Sequence, residues 1–359
     1  MKKFILLSVL MAFIASGCDS DVNGKKEGSI TLYVDNEVIM ANGQYAATLT
    51  VTVMDKSGIE VDITSDVEIY CEGEDDPMAD PRFVTNATGL YSFYAIHGFE
   101  ISNTVNVKAI DGSLQLPEDT NPSGTQFHHR MLLLQHTGVE CPNCPKLMTP
   151  LKYLAEDDDY NSLYHHVASH SYNQNDPAYN SDAASLSKNF NVTVYPWLTY
   201  NLTTVYELNY DAIRSTINEM TLENAVAGLS ANVSYDQDGV YANVSLKAGK
   251  DGKYRLAAWL LEDNIRSAQS GADAMWMNVH NNCLRKMNGK NKTECIYGKN
   301  IGELQAGACK DFLVAFDLED DWQGQNCKVI LIAVDATDYT LLNCAVCPVG
   351  ESLGYEYIN

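Results

Sequence analysis

Cys141-Pro142-Asn143-Cys144 carries the sharpest chemical signal in this sequence. Cysteines at this spacing can close a small disulfide, and such a pair can pass that bond to another dithiol. The reacting species is the thiolate, so the surroundings of the first sulfur decide whether the pair is reactive or inert. The pattern predicts a strand over Met131 to Leu134 before the motif. It predicts a helix over Cys144 to Leu154 after it, with Leu147, Leu151 and Leu154 at helical spacing. At a helix N-terminus, unpaired backbone N–H groups and the helix dipole favour a charged sulfur. Pro142 suits the first helical position, where no amide hydrogen is needed. In this arrangement Cys141 attacks and Cys144 resolves the mixed disulfide. Two residues oppose it. Glu140 sets a carboxylate beside Cys141, which disfavours the thiolate, and Asn143 supplies no positive charge. The alternative is a stable local bridge.

Other clusters are weaker. Cys344-Ala345-Val346-Cys347 repeats the spacing inside a strand pattern, where residues three apart point to opposite faces. A bridge from Cys347 to Cys327 across a predicted hairpin is the better expectation, with Cys283 or Cys295 pairing with Cys309. A zinc cluster is disfavoured because no knuckle-type cysteine pair is present. His165, His166 and His170 lie close together, with His128 and His129 upstream. On a strand His166 and His170 share a face. A metal would need a third ligand, Asp176 or His129; the plainer reading is a set of partly exposed histidines around a sheet. The sequence therefore assigns no metal and no cofactor. No phosphate-binding glycine loop, nucleophile elbow or paired-histidine metalloprotease motif occurs.

The elements that must position the cysteines form an α/β pattern. Leu163 to Ser169 and Trp197 to Tyr200 read as strands, Ala183 to Phe190 and Ala212 to Met220 as helices. Val194-Tyr195-Pro196-Trp197 precedes the second of these strands. Thioredoxin-like folds carry a cis-proline at that place, facing the cysteine pair. On that basis residues 127–224 resemble a thioredoxin-like domain, and the resemblance gives Pro196 the task of holding a substrate strand near the sulfurs. Upstream, residues 29–111 alternate with strand period two, as in Thr48 to Val53, and resemble an immunoglobulin-like β-sandwich. Residues 112–126, with Pro117, Pro122, Ser123 and Gly124, read as a linker. From residue 225 to 359 the β pattern returns and predicts a second sandwich. The expected fold class is multidomain: β-sandwich, thioredoxin-like α/β, C-terminal β-sandwich.

The N-terminus fixes the expected compartment. Met1-Lys2-Lys3 is followed by an apolar run from Phe4 to Ile14 and by Ala15-Ser16-Gly17-Cys18. This is the order of a signal peptide over residues 1–17, and the run is shorter than the roughly 20 apolar residues of a membrane span. Cys18 is the expected lipidation site, and residues 18–28 the tether. The chain has a formal net charge of −23, and −25 without Lys2 and Lys3 (22 basic against 47 acidic residues). That charge opposes nucleic-acid binding. The 21 tyrosines suit a protein- or peptide-binding surface, and also a sandwich core.

The run Thr137-Gly138-Val139-Glu140-Cys141-Pro142-Asn143-Cys144-Pro145 resembles the 28-kDa outer-membrane-protein-related family of Gram-negative lipoproteins. The likeness continues through Asn278 to Arg285 and Asn326 to Val334. It implies outer-membrane attachment and a thioredoxin-like fold, without a defined activity. Trp197 stands where threonine is common beside the cis-proline. Two functions follow: a binding or structural lipoprotein whose cysteines form a stable bridge, favoured by Glu140 and the two β domains, or a thiol–disulfide oxidoreductase using Cys141 and Cys144.

Overall fold

The computed structural model describes residues 28–205 and 208–358. The predicted signal peptide and Cys18 lie outside the described residues. The described chain is mostly β, arranged in several sheets. Among the described residues no helix is long and apolar enough to cross a membrane.

Two compact units emerge. Of the described residues, the first draws on 28–35, 48–83 and 91–106. Its strands Ile30–Val34 and Glu60–Asp62 flank Ala47–Met54 in antiparallel register, Leu32 opposite Val51. Glu68–Cys71 pairs with Gly89–His97, Cys71 opposite Phe93. Leu32, Leu49, Val51, Ile69, Phe93 and Ala95 are buried, as strand alternation requires.

The second unit holds the cysteine motif and is organised by one nine-stranded sheet. Its strands are β1 (Met131–Thr137), β2 (Tyr164–His170), β3 (Trp197–Tyr200), β4 (Thr203–Val205), β5 (Gly252–Glu262), β6 (Cys283–Met287), β7 (Lys299–Leu304), β8 (Cys327–Asp335) and β9 (Leu341–Pro348). The spatial order is β4-β3-β1-β2-β6-β5-β8-β9, with β7 also on β5. β1 and β2 run parallel, Gln135 opposite Ala168; β2 and β6 are parallel, Ala168 opposite Cys283. β1 and β3 are antiparallel, His136 opposite Trp197. The sheet thus joins strands from both sides of residue 224.

Among the described residues four α-helices accompany it: α1 (Pro145–Glu156), α2 (Ser181–Asn189), α3 (Tyr210–Met220) and α4 (Lys292–Tyr297). Leu147, Leu151 and Leu154 of α1 join Ile213 and Ile217 of α3 over Met131, Leu133 and Leu198. Ala183 and Leu186 of α2 cover the other face, over Leu132, Leu134 and Val167. Helix starts follow local chemistry: Asn180 accepts from the Ala183 amide, and Asn209 from the amides of Asp211 and Ala212. A four-stranded sheet (Ala227–Tyr235, Gly239–Ala248, Cys309–Asp317, Ser352–Leu353) packs on β5 and β8 through Leu229, Val244, Leu256, Leu260 and Leu331. Buried on both faces, β5 reads as a continuous apolar run from Leu256 to Leu261. Residues 112–126 are tied to this sheet: Lys247 Nζ donates to Asp119 (2.8 Å) and to the carbonyls of Asn121 and Pro122.

The cysteine pairings expected downstream do not form. Cys283, Cys295, Cys309, Cys327, Cys344 and Cys347 are free thiols. Cys347 stands opposite Val329, two residues along from Cys327, so the two share a core without facing each other. Cys344 and Cys347 lie in different cores, on opposite faces of β9. Burial pushes Cys344 up to about 12 and Cys347 up to about 11, which makes both poor nucleophiles at neutral pH.

Candidate functional site

Cys141 and Cys144 are joined by a disulfide, with Cα atoms 5.4 Å apart. The chain leaves β1 at Thr137, turns through residues 138–144, and enters α1. Pro145, not Pro142, occupies the first helical position, and Cys144 is the N-cap residue. Pro142 sits in the turn between the sulfurs, closed by the Cys144 amide on the Cys141 carbonyl (3.2 Å). The Met148 amide donates to the Cys144 carbonyl at 3.2 Å, the first full turn of the helix.

Both half-cystines are buried: Cys141 is 1% exposed and Cys144 0%. A segment more than a hundred residues downstream closes over them. Gln269 Nε2 donates toward the carbonyls of Gly138, Val139 and Cys141, the last at 3.0 Å. The Ser270 amide donates to the Val139 carbonyl at 2.7 Å. Gly271 follows in left-handed backbone (φ +74°), and a Cβ there would stand 2.5 Å from the Pro142 carbonyl oxygen. Only glycine permits that approach. Glu140 stays on the surface and accepts from the Asn173 side chain.

Pro196 is buried and follows a cis Tyr195–Pro196 bond. Because Trp197 stands opposite His136, Pro196 lies at the level of Thr137, at the end of the sheet from which the cysteine turn departs.

The histidines are separated by the sheet. His166 and His170 share the α1 face of β2, as strand geometry requires. His170 Nδ1 donates to Asp176 Oδ2 (2.8 Å), which also accepts from the Val139 amide (2.7 Å); Asp176 Oδ1 accepts from the Ala178 amide (2.8 Å). Asp176 therefore acts as an ion-pair partner and a strut for the cysteine turn. Burial opposes charge on His170, but the Cys283 sulfur within hydrogen-bond reach and the Asp176 carboxylate outweigh it and raise the ring to about 10. Burial also opposes ionisation of Asp176, yet its hydrogen bond and ion pair with His170 leave it below its ordinary value. His280 packs edge-on to His170, ring centres 5.1 Å apart. Burial, then the His170 charge, lowers His280 to about 4. His129 lies elsewhere, its ring against the Glu223 carbonyl (3.2 Å). Among the described residues no three histidine, cysteine, aspartate or glutamate side chains are grouped to hold a metal. Sequence reading missed Gln269, Asp176 as a strut and Cys283 as the partner of His170.

A cavity of about 370 Å³ opens between α1 and the same sheet face. One stripe of α1 lines it, Met148, Leu151, Lys152 and Ala155. Gln135, His166 and Trp276 are among the residues opposite.

No family model matches the chain, and no curated protein matches it. Among solved structures it is similar to HBP35 of Porphyromonas gingivalis, with 15% identity and a TM-score of 0.53 over 64% of this chain and 77% of that one. A domain of the outer membrane lipoprotein Omp28 from the same organism matches 35% of this chain and 88% of its own, with 18% identity and a TM-score of 0.25. What this chain shares with HBP35 is a fold across some two thirds of its length.

Proposed function

We propose that this chain is a lipid-anchored outer-membrane protein of the 28-kDa outer-membrane-protein-related type, in which a thioredoxin-like unit is a scaffold and Cys141–Cys144 is a structural bridge. The domain plan belongs to the same proposal: immunoglobulin-like residues 29–111, linker 112–126, thioredoxin-like residues 127–224 and a C-terminal β-sandwich over 225–359, the last two sharing the nine-stranded sheet. The parallel β1–β2 pair, the antiparallel β3–β4 edge and α1 directly after the cysteines support the thioredoxin-like part. The observation that carries the structural-bridge reading is the burial of both half-cystines beneath Gln269 and Gly271. A sulfur shut off from partners cannot be attacked or attack without opening that cover. Protein or peptide partners would instead meet exposed apolar side chains, such as Phe99 and Ile101 at a hairpin of the first unit.

Thiol labelling of the folded protein in graded glutathione buffers tests this directly. The bridge is expected to stay oxidised, with a potential below about −300 mV; a value between about −120 and −270 mV would establish the exchange reading instead. Gln269→Ala removes the donor shared by four carbonyls, those of Gly138, Val139, Cys141 and Ser270. It is expected to speed reduction of the bridge and to cost about 1–3 kcal/mol in urea unfolding. Cys18→Ala is expected to move the protein from the membrane fraction to the soluble fraction, read by cell fractionation and by loss of labelled fatty acid.

A further inference from the structure

We infer that the end of the first unit carrying Phe99 and Ile59 rests on a zwitterionic lipid surface, with Phe99 inserted at its boundary. The inference rests on the lipid-anchor reading of Cys18, and it commits the exposed apolar side chains named above to lipid.

Three features meet at this end. Phe99 is at the tip of the hairpin in which Gly89–His97 pairs with Glu100–Ile101, His97 opposite Glu100. Phe99 is fully exposed, and Ile101 is 65% exposed. Gly98, in left-handed backbone (φ +64°), already meets the demand of the tight turn, so the turn itself does not call for an aromatic. The second feature is the turn 55–59, closed by the Asp55 amide on the Ile59 carbonyl (2.9 Å). Ile59 is 60% exposed. The third is the entry of the chain: the Gly28 amide donates to the Met54 carbonyl (3.0 Å), directly before that turn.

Hydrogen bonds put the hairpin at the same end. Asn103 Oδ1 accepts from the Leu32 amide (2.9 Å), and its Nδ2 donates to the Leu32 carbonyl (3.0 Å). Five residues on, the Lys108 amide donates to the Glu37 carbonyl (2.8 Å). The stretches 32–37 and 103–108 therefore run in the same direction. Phe99, four residues before Asn103, lies toward Gly28, four residues before Leu32.

Single exposed apolar side chains are ordinary on a protein surface. These stand where the chain leads back to Cys18. Ten residues separate Cys18 from Gly28, a span of at most about 36 Å when fully extended. A lipid on Cys18 would hold the apolar tips close to the bilayer at high effective concentration. Apolar side chains so placed gain free energy at the boundary between headgroups and acyl chains. Charge selects the lipid. Asp55, Glu60 and Glu100 outnumber Lys56 beside the tips, so an anionic surface repels this end and a zwitterionic one does not.

The acylated full chain in phosphatidylcholine vesicles tests this. Phe99→Trp adds a reporter at the tip. Leu90→Trp is the control: Leu90 is also 65% exposed, near the start of the same strand and roughly 25 Å from the tip. The unsubstituted chain gives the baseline of the native tryptophans. With lipids brominated high on the acyl chains, the emission added by Phe99→Trp is expected to fall by about half. That added by Leu90→Trp is expected to stay. In the unsubstituted chain, amide exchange over residues 97–101 is expected to slow about threefold on vesicles, relative to soluble Cys18→Ala. Flotation with the vesicles reports the anchor separately. A chain that does not float would overturn the anchor and this inference with it. A floating chain with unquenched Phe99→Trp, equal quenching at both positions, or unchanged exchange would overturn this inference alone. Phe99 would then be left to a protein partner.

Discussion

Arg285→Met is expected to destabilise the second unit by about 3–5 kcal/mol in urea unfolding. Arg285 and Glu262 are each 3% exposed at the side chain and meet at 2.7 Å. Arg285 also donates to the Pro177 carbonyl (2.8 Å) and lies 5.2 Å from the centre of the Trp322 ring. Glu262 accepts from the Gln323 amide at 3.0 Å. The guanidinium therefore ties β5 and β6 to the loop that carries Asp176. Removing it leaves the Glu262 carboxylate buried without a counter-charge, and that desolvated charge dominates the cost. The double variant Arg285→Met, Glu262→Gln removes the stranded charge. It is expected to recover most of the loss, leaving about 1–2 kcal/mol for the broken hydrogen bonds. If both variants were equally unstable, the cost would lie in packing and not in charge.

The second large effect is on acidification. Burial lowers His136 and His165 to about 3, and His166 and His280 to about 4. In the unfolded chain each titrates near 6.5. A folded value below the unfolded one means that the unfolded state binds the proton first. Stability is then full above about pH 6.5 and falls as the pH drops toward the folded values. Each such proton contributes about 1.4 kcal/mol per pH unit, so four together approach about 5 kcal/mol per unit. Against a total stability of about 5–15 kcal/mol, unfolding is expected between about pH 6 and pH 4. His170 has the opposite sign. Its folded value of about 10 lies above the unfolded one, so its contribution is complete below about pH 6.5 and is lost as the pH rises through about 10. Urea unfolding at about pH 7, 6 and 5 measures the slope. His136→Gln, which can still reach Ser187 and Thr199, is expected to flatten it by about one proton. An unchanged slope in that variant would show that His136 is not a source of the acid lability.

Much of the local structure is readable from residue types. The alternation Thr48 to Val53 lies inside the strand Ala47–Met54, Trp197 to Tyr200 is a strand, and the spacing of Leu147, Leu151 and Leu154 marks the buried side of α1. The opposite faces of Cys344 and Cys347 follow from strand period alone. The strand Cys283–Met287 escapes such reading because Arg285 and Lys286 interrupt any apolar alternation in five residues. Its Arg285 is tolerable only because Glu262 stands beside it on a neighbouring strand.

By itself the sequence determined the short-range facts: a cysteine pair that leads into a helix, the strands and helices around it, and the acidic balance of the chain. These depend on steric and periodic rules acting over a few residues. Tertiary structure alone decided that Gln269 covers the cysteine turn and that Asp176 links that turn to His170 and Cys283. Periodicity reports that a side chain is buried. Which distant side chain meets it depends on how the strands are ordered in the sheet, and that order is set by packing between segments far apart in the chain.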